Sequence, residues 1–452
     1  MGFKKDFAWG VATSSQQIEG AYLEGGKGLN IWDVFSHEPT RIKDRKTSDV
    51  ACDHYHLFRE DVKLLRSLGV NSYRFSISWS RIFPNGVGEV SEDGVRFYSE
   101  LIDELISNGI EPYITLFHWD YPYALYKKGG WLNDESVDWF KSYAAKVVEL
   151  YSDRVTYFIT FNEPQCFIGH GYLRGIHAPG IKLPYKDIFQ MAHNVMKAHG
   201  AAVIAMREAA KRPIKIGYAP TCSAHYPATD SPEDIEAARR ALFDSPKLSE
   251  QVMWSASWWS DPVILGKYPE DGLELYKDYL PEITEEDLRL MNQPLDFYAQ
   301  NIYNGKEIKA GDNGEPVAVK RPSDAPVTAL GWPVTPKCLY WGPRFFTERY
   351  RLPFYISENG AATNDVLGAD GKVHDEDRIK FLSTYLDEFE RAADDGIDIR
   401  GYFLWSFMDN FEWAEGYGPR FGIVYTDYET MRRIPKDSAY WYKNYIEQKS
   451  KK

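Results

Sequence analysis

Apolar residues in this chain come in short unbroken runs, each followed by a longer stretch in which they recur every third or fourth position. The short runs fit strands buried on both faces, and the longer stretches fit amphipathic helices. Residues 7–12 form the first run. Asp53 is placed to cap a helix through Phe58, Val62, Leu65 and Leu68 that stops at Gly69. Residues 71–77 read as the second strand and 93–108 as a helix closed by Gly109. Residues 112–117 and then 135–151 repeat the pair, as do 157–161 and a long helix from about 188 to 210. The fifth strand is 214–219. An irregular region with Trp254, Trp258 and Trp259 follows, and the sixth strand is 295–301. Residues 305–330, rich in Gly, Pro and Asp, read as an excursion with a small hairpin. A helix at 336–350 leads to the seventh strand at Phe354. A helix at 375–395 leads to the eighth at 399–405, and a last helix runs through Trp441 and Tyr445.

Eight strands, each followed by helix, predict an α/β protein built as a closed parallel (β/α)8 TIM barrel with extended βα loops. No linker or shift in composition divides the chain, so residues 1–452 are expected to form one domain. In such a barrel the residues just past the strand ends meet at one rim, however far apart in sequence. Gln17 and Glu19 follow the first strand, and Arg74 lies on the second. His118, Trp119 and Asp120 end the third, and Asn162 and Glu163 the fourth. Asn301 and Tyr303 lie on the sixth, Glu358 on the seventh, and Trp405 on the eighth, with Asn410, Glu412 and Trp413 beyond it. Two carboxylates across a ring from each other, with amides, an imidazole and indoles between them, is the set glycoside hydrolysis uses. Singly, each residue has an ordinary structural reading; the joint pattern carries the inference.

Composition narrows the partners. Of the 452 residues, 44% are hydrophobic and 26% charged, as in an ordinary soluble protein. Aromatic residues reach 15%, with 14 Trp, an unusual share; much of it is expected in the core, and some is available to stack on sugar C–H faces. A net charge of −13 argues against nucleic acid or an anionic membrane surface as partner. Cys52, Cys166, Cys222 and Cys338 form no Cys-x-x-Cys pair and read as reduced, buried thiols. No apolar run approaches membrane-spanning length, and the N-terminus has no apolar signal core, so a cytoplasmic location is expected. His54 and His56, two apart on a helix, do not face each other and read as structural, not as a metal pair.

Six stretches, in order, resemble the retaining β-glycosidases of glycoside hydrolase family 1. They are Phe7-Ala8-Trp9-Gly10-Val11-Ala12-Thr13 with Gln17-Ile18-Glu19-Gly20; Tyr73-Arg74-Phe75-Ser76-Ile77-Ser78-Trp79-Ser80-Arg81; Leu116-Phe117-His118-Trp119-Asp120; Thr160-Phe161-Asn162-Glu163-Pro164; Tyr355-Ile356-Ser357-Glu358-Asn359-Gly360; and Leu404-Trp405 through Asn410-Phe411-Glu412-Trp413. The resemblance implies a β-glucosidase acting with retention on a small β-glucoside or short β-linked oligosaccharide, with side activity on galactosides or fucosides. It implies Glu358 as nucleophile, held ionised by Arg74 and Tyr303, and Glu163 as general acid and then base. It implies Gln17, His118, Trp119, Asn162, Glu412 and Trp413 as holders of the sugar, Trp405 as its platform, Phe421 at the pocket's border and Trp332 on the aglycone side. No metal or other cofactor is called for, and oligomeric state is not read. Relatives acting on 6-phosphorylated sugars usually lack a Glu at the position of Glu412, where a carboxylate repels phosphate. A 6-phospho-β-glucosidase is therefore the disfavoured alternative. A silent carbohydrate-binding protein is a second alternative, against which both carboxylates stand. Glu163 also separates the chain from plant thioglucosidases, which carry Gln there. The segment from Tyr218 to Asp261 departs from the family pattern and leaves the aglycone open.

Overall fold

The computed structural model describes residues 2–451. The eight short runs are eight parallel strands: Ala8–Ala12, Ser72–Ser76, Glu111–Phe117, Tyr157–Asn162, Lys215–Ala219, Phe297–Ile302, Phe354–Asn359 and Ile399–Trp405. Each bonds to its neighbour in sequence, and the eighth returns to the first, with Ala12 opposite Trp405. The sheet therefore closes into the expected barrel. Helices such as His54–Ser67, Glu92–Ser107, Ser136–Tyr151, Tyr185–Ala209 and Glu376–Asp394 wrap it. Among the described residues no helix is long and apolar enough to cross a membrane.

The strands are apolar on both faces, as their unbroken runs required. Outward residues such as Val11, Phe75, Leu116, Ile356 and Leu404 pack under the helices. Inward residues Tyr113, Phe297, Tyr355 and Phe403 form a second core inside the cylinder. Glycines make room for that plug. A Cβ on Gly10 would lie 2.5 Å from the Phe403 ring, and one on Gly217 would lie 2.2 Å from the Phe297 ring. Nearer the C-terminal ends the inward positions turn polar, with Arg74, Thr115, Asn301 and Ser357 all buried. Side chains at this end thus start from a dry, close-packed base.

Three local readings differ from the pattern. Asp53 precedes the His54–Ser67 helix in a left-handed conformation (φ 54°) without bonding a helix N–H. Its carboxylate bonds His56 Nδ1 at 2.6 Å instead. The irregular region before the sixth strand holds four short helices, Pro232–Phe243, Ala256–Ile264, Glu270–Tyr276 and Glu285–Met291. Each is too short to show a clear period, although Ser231, Ser255 and Thr284 cap three of them. The long helix starts three residues early, at Tyr185. The excursion after the sixth strand does contain the hairpin, Glu307–Ala310 with Pro316–Ala318.

Beyond the eighth strand, residues 406–424 carry Glu412, Trp413 and Phe421. A buried charge cluster ties this loop down. Lys436 Nζ bonds Asp409 Oδ1 at 2.7 Å and also Asp365. Asp409 Oδ2 accepts from Arg420 Nη1 at 2.6 Å, and Oδ1 from the Gly422 amide at 3.0 Å. Arg378 bridges Asp365 and Asp375 at 2.8 and 2.9 Å. Removing one member of a buried ion set strands the others, at a cost of about 3–5 kcal/mol. Lys436→Met should accordingly lower the urea midpoint markedly; an unchanged midpoint would mean that the cluster does not hold this loop.

Candidate active site

A cavity of about 600 Å³ opens at the C-terminal rim of the barrel, lined by residues from segments spread between His118 and Phe421. Glu358 and Glu163 both face it. Glu358 ends the seventh strand, in register with Asn301 on the sixth. Its Oε1 accepts from Arg74 Nη1 at 2.7 Å, and its Oε2 from the Tyr303 hydroxyl at 2.7 Å. Arg74 also donates to Thr115 Oγ1 at 3.0 Å and to Asn162 Oδ1 at 2.6 Å.

Glu163 sits just past the fourth strand in the left-handed region, φ 46° and ψ 65°, with Pro164 opening the next helical turn. For a residue with a Cβ that conformation costs roughly 1–2 kcal/mol, and such strain gathers at functional sites. Its Oε1 accepts from Asn301 Nδ2 at 2.7 Å. Asn301 Nδ2 also reaches Asn162 Oδ1 at 3.0 Å, while Ser357 Oγ fixes Asn301 Oδ1 at 2.6 Å. One continuous bridge, Arg74–Asn162–Asn301, thus joins the two carboxylates.

The electrostatics are unequal. Burial pushes the Glu163 carboxyl up, the negative charge of Glu358 adds to it, and the group reaches about 7. Burial also lifts Glu358, but Arg74 and Tyr303 oppose it. Burial is the larger of these effects, and Arg74 and Tyr303 are the two partners that favour the ionised form of Glu358. Glu163 has no cation bonded to it, so the proton shared by the pair rests there. Glu412 is a third carboxylate in the same cavity, pushed up to about 8 by burial, then by Glu358 and Glu163. His118 is held neutral by burial and by Arg74. Asn162 Nδ2 donates to His118 Nε2 at 3.1 Å, which places the ring proton on Nδ1.

Ten of the thirteen residues singled out in the sequence line the cavity: His118, Trp119, Glu163, Tyr303, Trp332, Glu358, Trp405, Glu412, Trp413 and Phe421. Arg74, Gln17 and Asn162 lie just beneath. Gln17 Nε2 donates to Asn410 Oδ1 and the Phe411 carbonyl, both at 3.0 Å, and lies 3.4 Å from Glu412 Oε2. The His118 ring is stacked 5.9 Å from both Trp405 and Trp413, and Trp332 stands 5.8 Å from Phe421. Trp119 also supports the site through its Nε1, bonded to the Asn162 carbonyl at 3.1 Å. Glu19 belongs elsewhere, pairing with Arg81 at 3.0 Å and accepting from Tyr98 at 2.6 Å. His54 bonds Asp61 at 2.8 Å and His56 bonds Asp53, so the two histidines do not converge.

Sequence reasoning placed Asn301 on the rim without seeing that it binds Glu163; its alignment with Glu358 on the neighbouring strand was the available signal. Cys166, three residues after Glu163, was passed over as an ordinary thiol. The outer wall, with His170, Arg174, His177 and Trp254, carried no motif.

The family model for glycosyl hydrolase family 1 matches residues 1–451. Beta-glucosidase A of Thermotoga maritima is 44% identical over 446 residues, 98% of this chain and 97% of that protein. Beta-glucosidase A of Acetivibrio thermocellus is 45% identical over 450 residues, covering 98% of each. The solved beta-glucosidase from Thermotoga maritima in complex with glucoimidazole superposes with a TM-score of 0.90 at 43% identity, over 99% of both chains.

The charge arrangement makes its own prediction. With glutamate carboxyls labelled for NMR, the signal absent in Glu163→Gln should titrate near 7. In Glu358→Gln it should fall toward the ordinary range, because the neighbouring negative charge is gone. An unmoved titration would mean that the two groups do not sense each other.

Proposed function

The chain belongs to glycosyl hydrolase family 1, and we propose that its cavity removes a terminal non-reducing β-D-glucosyl residue from β-glucosides by double displacement. The observation that carries this reading is the unequal pair: Glu358 bonded to a cation and a phenol, Glu163 bonded to neither and raised to about 7. The Glu358 carboxylate attacks the anomeric carbon while Glu163 gives its proton to the departing oxygen. The glucosyl-enzyme ester so formed has no charge on Glu358. Glu163 then loses its unfavourable neighbour, becomes more acidic, and takes a proton from the water that releases glucose. Configuration is retained. We read residues 1–452 as one catalytic domain, since the cavity draws on segments from the third strand to the loop after the eighth.

Glu412, Gln17, Asn162, His118 and Trp413 are read as the groups that hold the sugar's hydroxyls, over Trp405. Of Asn162's two amide hydrogens, one goes to His118 and the other is free for the second hydroxyl, where a bond tightens as the oxocarbenium character grows. Among the described residues Arg174 is the only Lys or Arg that lines the cavity. A phosphate at the sixth position would face Glu412 with no cation beside it, which supports a free glucoside over a phosphorylated one.

Two substitutions test the roles. Glu358→Ala should lose turnover of an aryl β-D-glucoside by several orders of magnitude, and added azide should restore part of it with an α-glucosyl azide as product. Retained turnover, or rescue giving the β-azide, would overturn the nucleophile. Glu163→Ala should slow glucosides with poor leaving groups far more than activated aryl glucosides; equal losses on both would contradict the acid.

A further inference from the structure

The barrel has a second mouth. A cavity of about 400 Å³ opens at the N-terminal rim, at the opposite end of the strands from Glu163 and Glu358. Ala8, Ser72, Glu111, Tyr157 and Lys215, which line it, are the first residues of the first five strands. Tyr113 of the aromatic plug lines it too, so the plug separates the two mouths. At roughly 30 Å³ for each heavy atom, the share a water takes in the liquid, the space suits a small molecule.

The charges around this mouth are unpaired. Asp6, Glu111 and Lys215 line it, and none of them forms an ion pair among the described residues. Glu111 Oε1 is enclosed and has no hydrogen-bond partner there. Burial raises its carboxyl, against the opposing effects of Thr156 and Arg212. The Arg212 guanidinium is taken up elsewhere, by the carbonyls of Ser152 and Arg154 and by Thr156 Oγ1. An enclosed carboxylate oxygen without a donor is costly, so Glu111 is short of a positive partner.

Lys215 shows what the cavity accepts. Its Nζ lies 5.3 Å from the centre of the Tyr157 ring, within the range of a cation–π contact. Tyr113 stacks on Tyr157 at 4.2 Å and 17°, which holds that ring in place. Lys215 is exposed and reaches the ring on a flexible four-carbon stem, so a free ammonium ion can take its place. Two carboxylates and one tyrosine face, already visited by an alkylammonium of the chain itself, match an organic cation better than an anion or a neutral molecule.

We propose that this N-terminal mouth binds small primary alkylamines and diamines in their ammonium form, with Glu111 and Asp6 accepting the N–H groups, Tyr157 beneath the cation, and Lys215 as a tethered occupant that competes for the site. The site is separate from the catalytic cavity and takes no part in the glycosyl transfer.

Calorimetric titration of the full chain with pentane-1,5-diamine, pentane-1,5-diol and glutarate tests this in the wild type, Glu111→Gln and Lys215→Ala. The diamine should bind, and the diol and glutarate should not. Glu111→Gln should weaken the diamine by about fivefold or more, since its carboxylate partner is gone. Lys215→Ala should tighten it by about threefold or more, because the ring is freed and a like charge removed. Turnover of an aryl glucoside, unchanged in both variants, reports that each is folded. No diamine binding in either the wild type or Lys215→Ala would overturn the site, as would equal binding of the diol or glutarate. So would a weaker affinity in Lys215→Ala, or an affinity indifferent to both substitutions, which would place the amine at the catalytic rim.

Discussion

The site depends on a single buried cation serving more carboxylates than it can neutralise. Arg74 is fully enclosed by the barrel, bonds Glu358 directly, and touches Glu163 only through the side chains of Asn162 and Asn301. Glu412 shares the cavity and has no cation of its own. In a low-dielectric site three carboxylates around one guanidinium cannot all be ionised. Protons must stay where the cation is farthest away, and that asymmetry separates a base-like carboxylate from an acid-like one. Had Arg74 been placed midway, the two groups would share the proton and neither would suit its proposed role.

Such an arrangement needs a rigid support, and the barrel's layering supplies it. Aromatic rings fill the lower interior because Gly10, Gly217 and Gly401 leave space for them. Above that plug the inward positions are polar and fully bonded: Arg74 to Thr115, Asn162 and Glu358, and Ser357 to Asn301. The loop after the eighth strand is secured separately, by the Lys436–Asp409–Arg420 cluster. Glu412, Trp413 and Phe421 are thus positioned by charges that never face the cavity. Backbone strain reaches the cavity wall as well. Trp119, Glu163 and Trp413, all on the cavity wall, have positive φ although none is glycine.

Much of this was legible in the chain. Buried strands announce themselves as unbroken apolar runs, and the rule that strand ends share a rim brought Arg74, Glu163 and Glu358 together without coordinates. The same reading could not tell which side chains face the cavity and which support it. Gln17 and Asn162, for example, are also bonded to Asn410, Phe411, Arg74 and His118, and a uniformly polar or apolar local pattern does not reveal such partners. Asp53 looked like a cap by position, but its carboxylate found His56 instead. The four helices between the fifth and sixth strands were invisible because seven to twelve residues give too few turns for a period. The outer wall was hidden for a different reason: His170, Arg174 and His177 belong to no motif, and Trp254 joins them from a segment some eighty residues on.

The two-step chemistry rests on Glu358 and Glu163 acting from opposite faces of one sugar, and the anomer first released reports on that most directly. Proton NMR of wild-type enzyme acting on an aryl β-D-glucoside should show β-glucose appearing first, with the α anomer rising later at the rate of spontaneous mutarotation. A direct, single displacement by water would release α-glucose first. That result would contradict a nucleophilic Glu358 and the charge asymmetry on which the account stands.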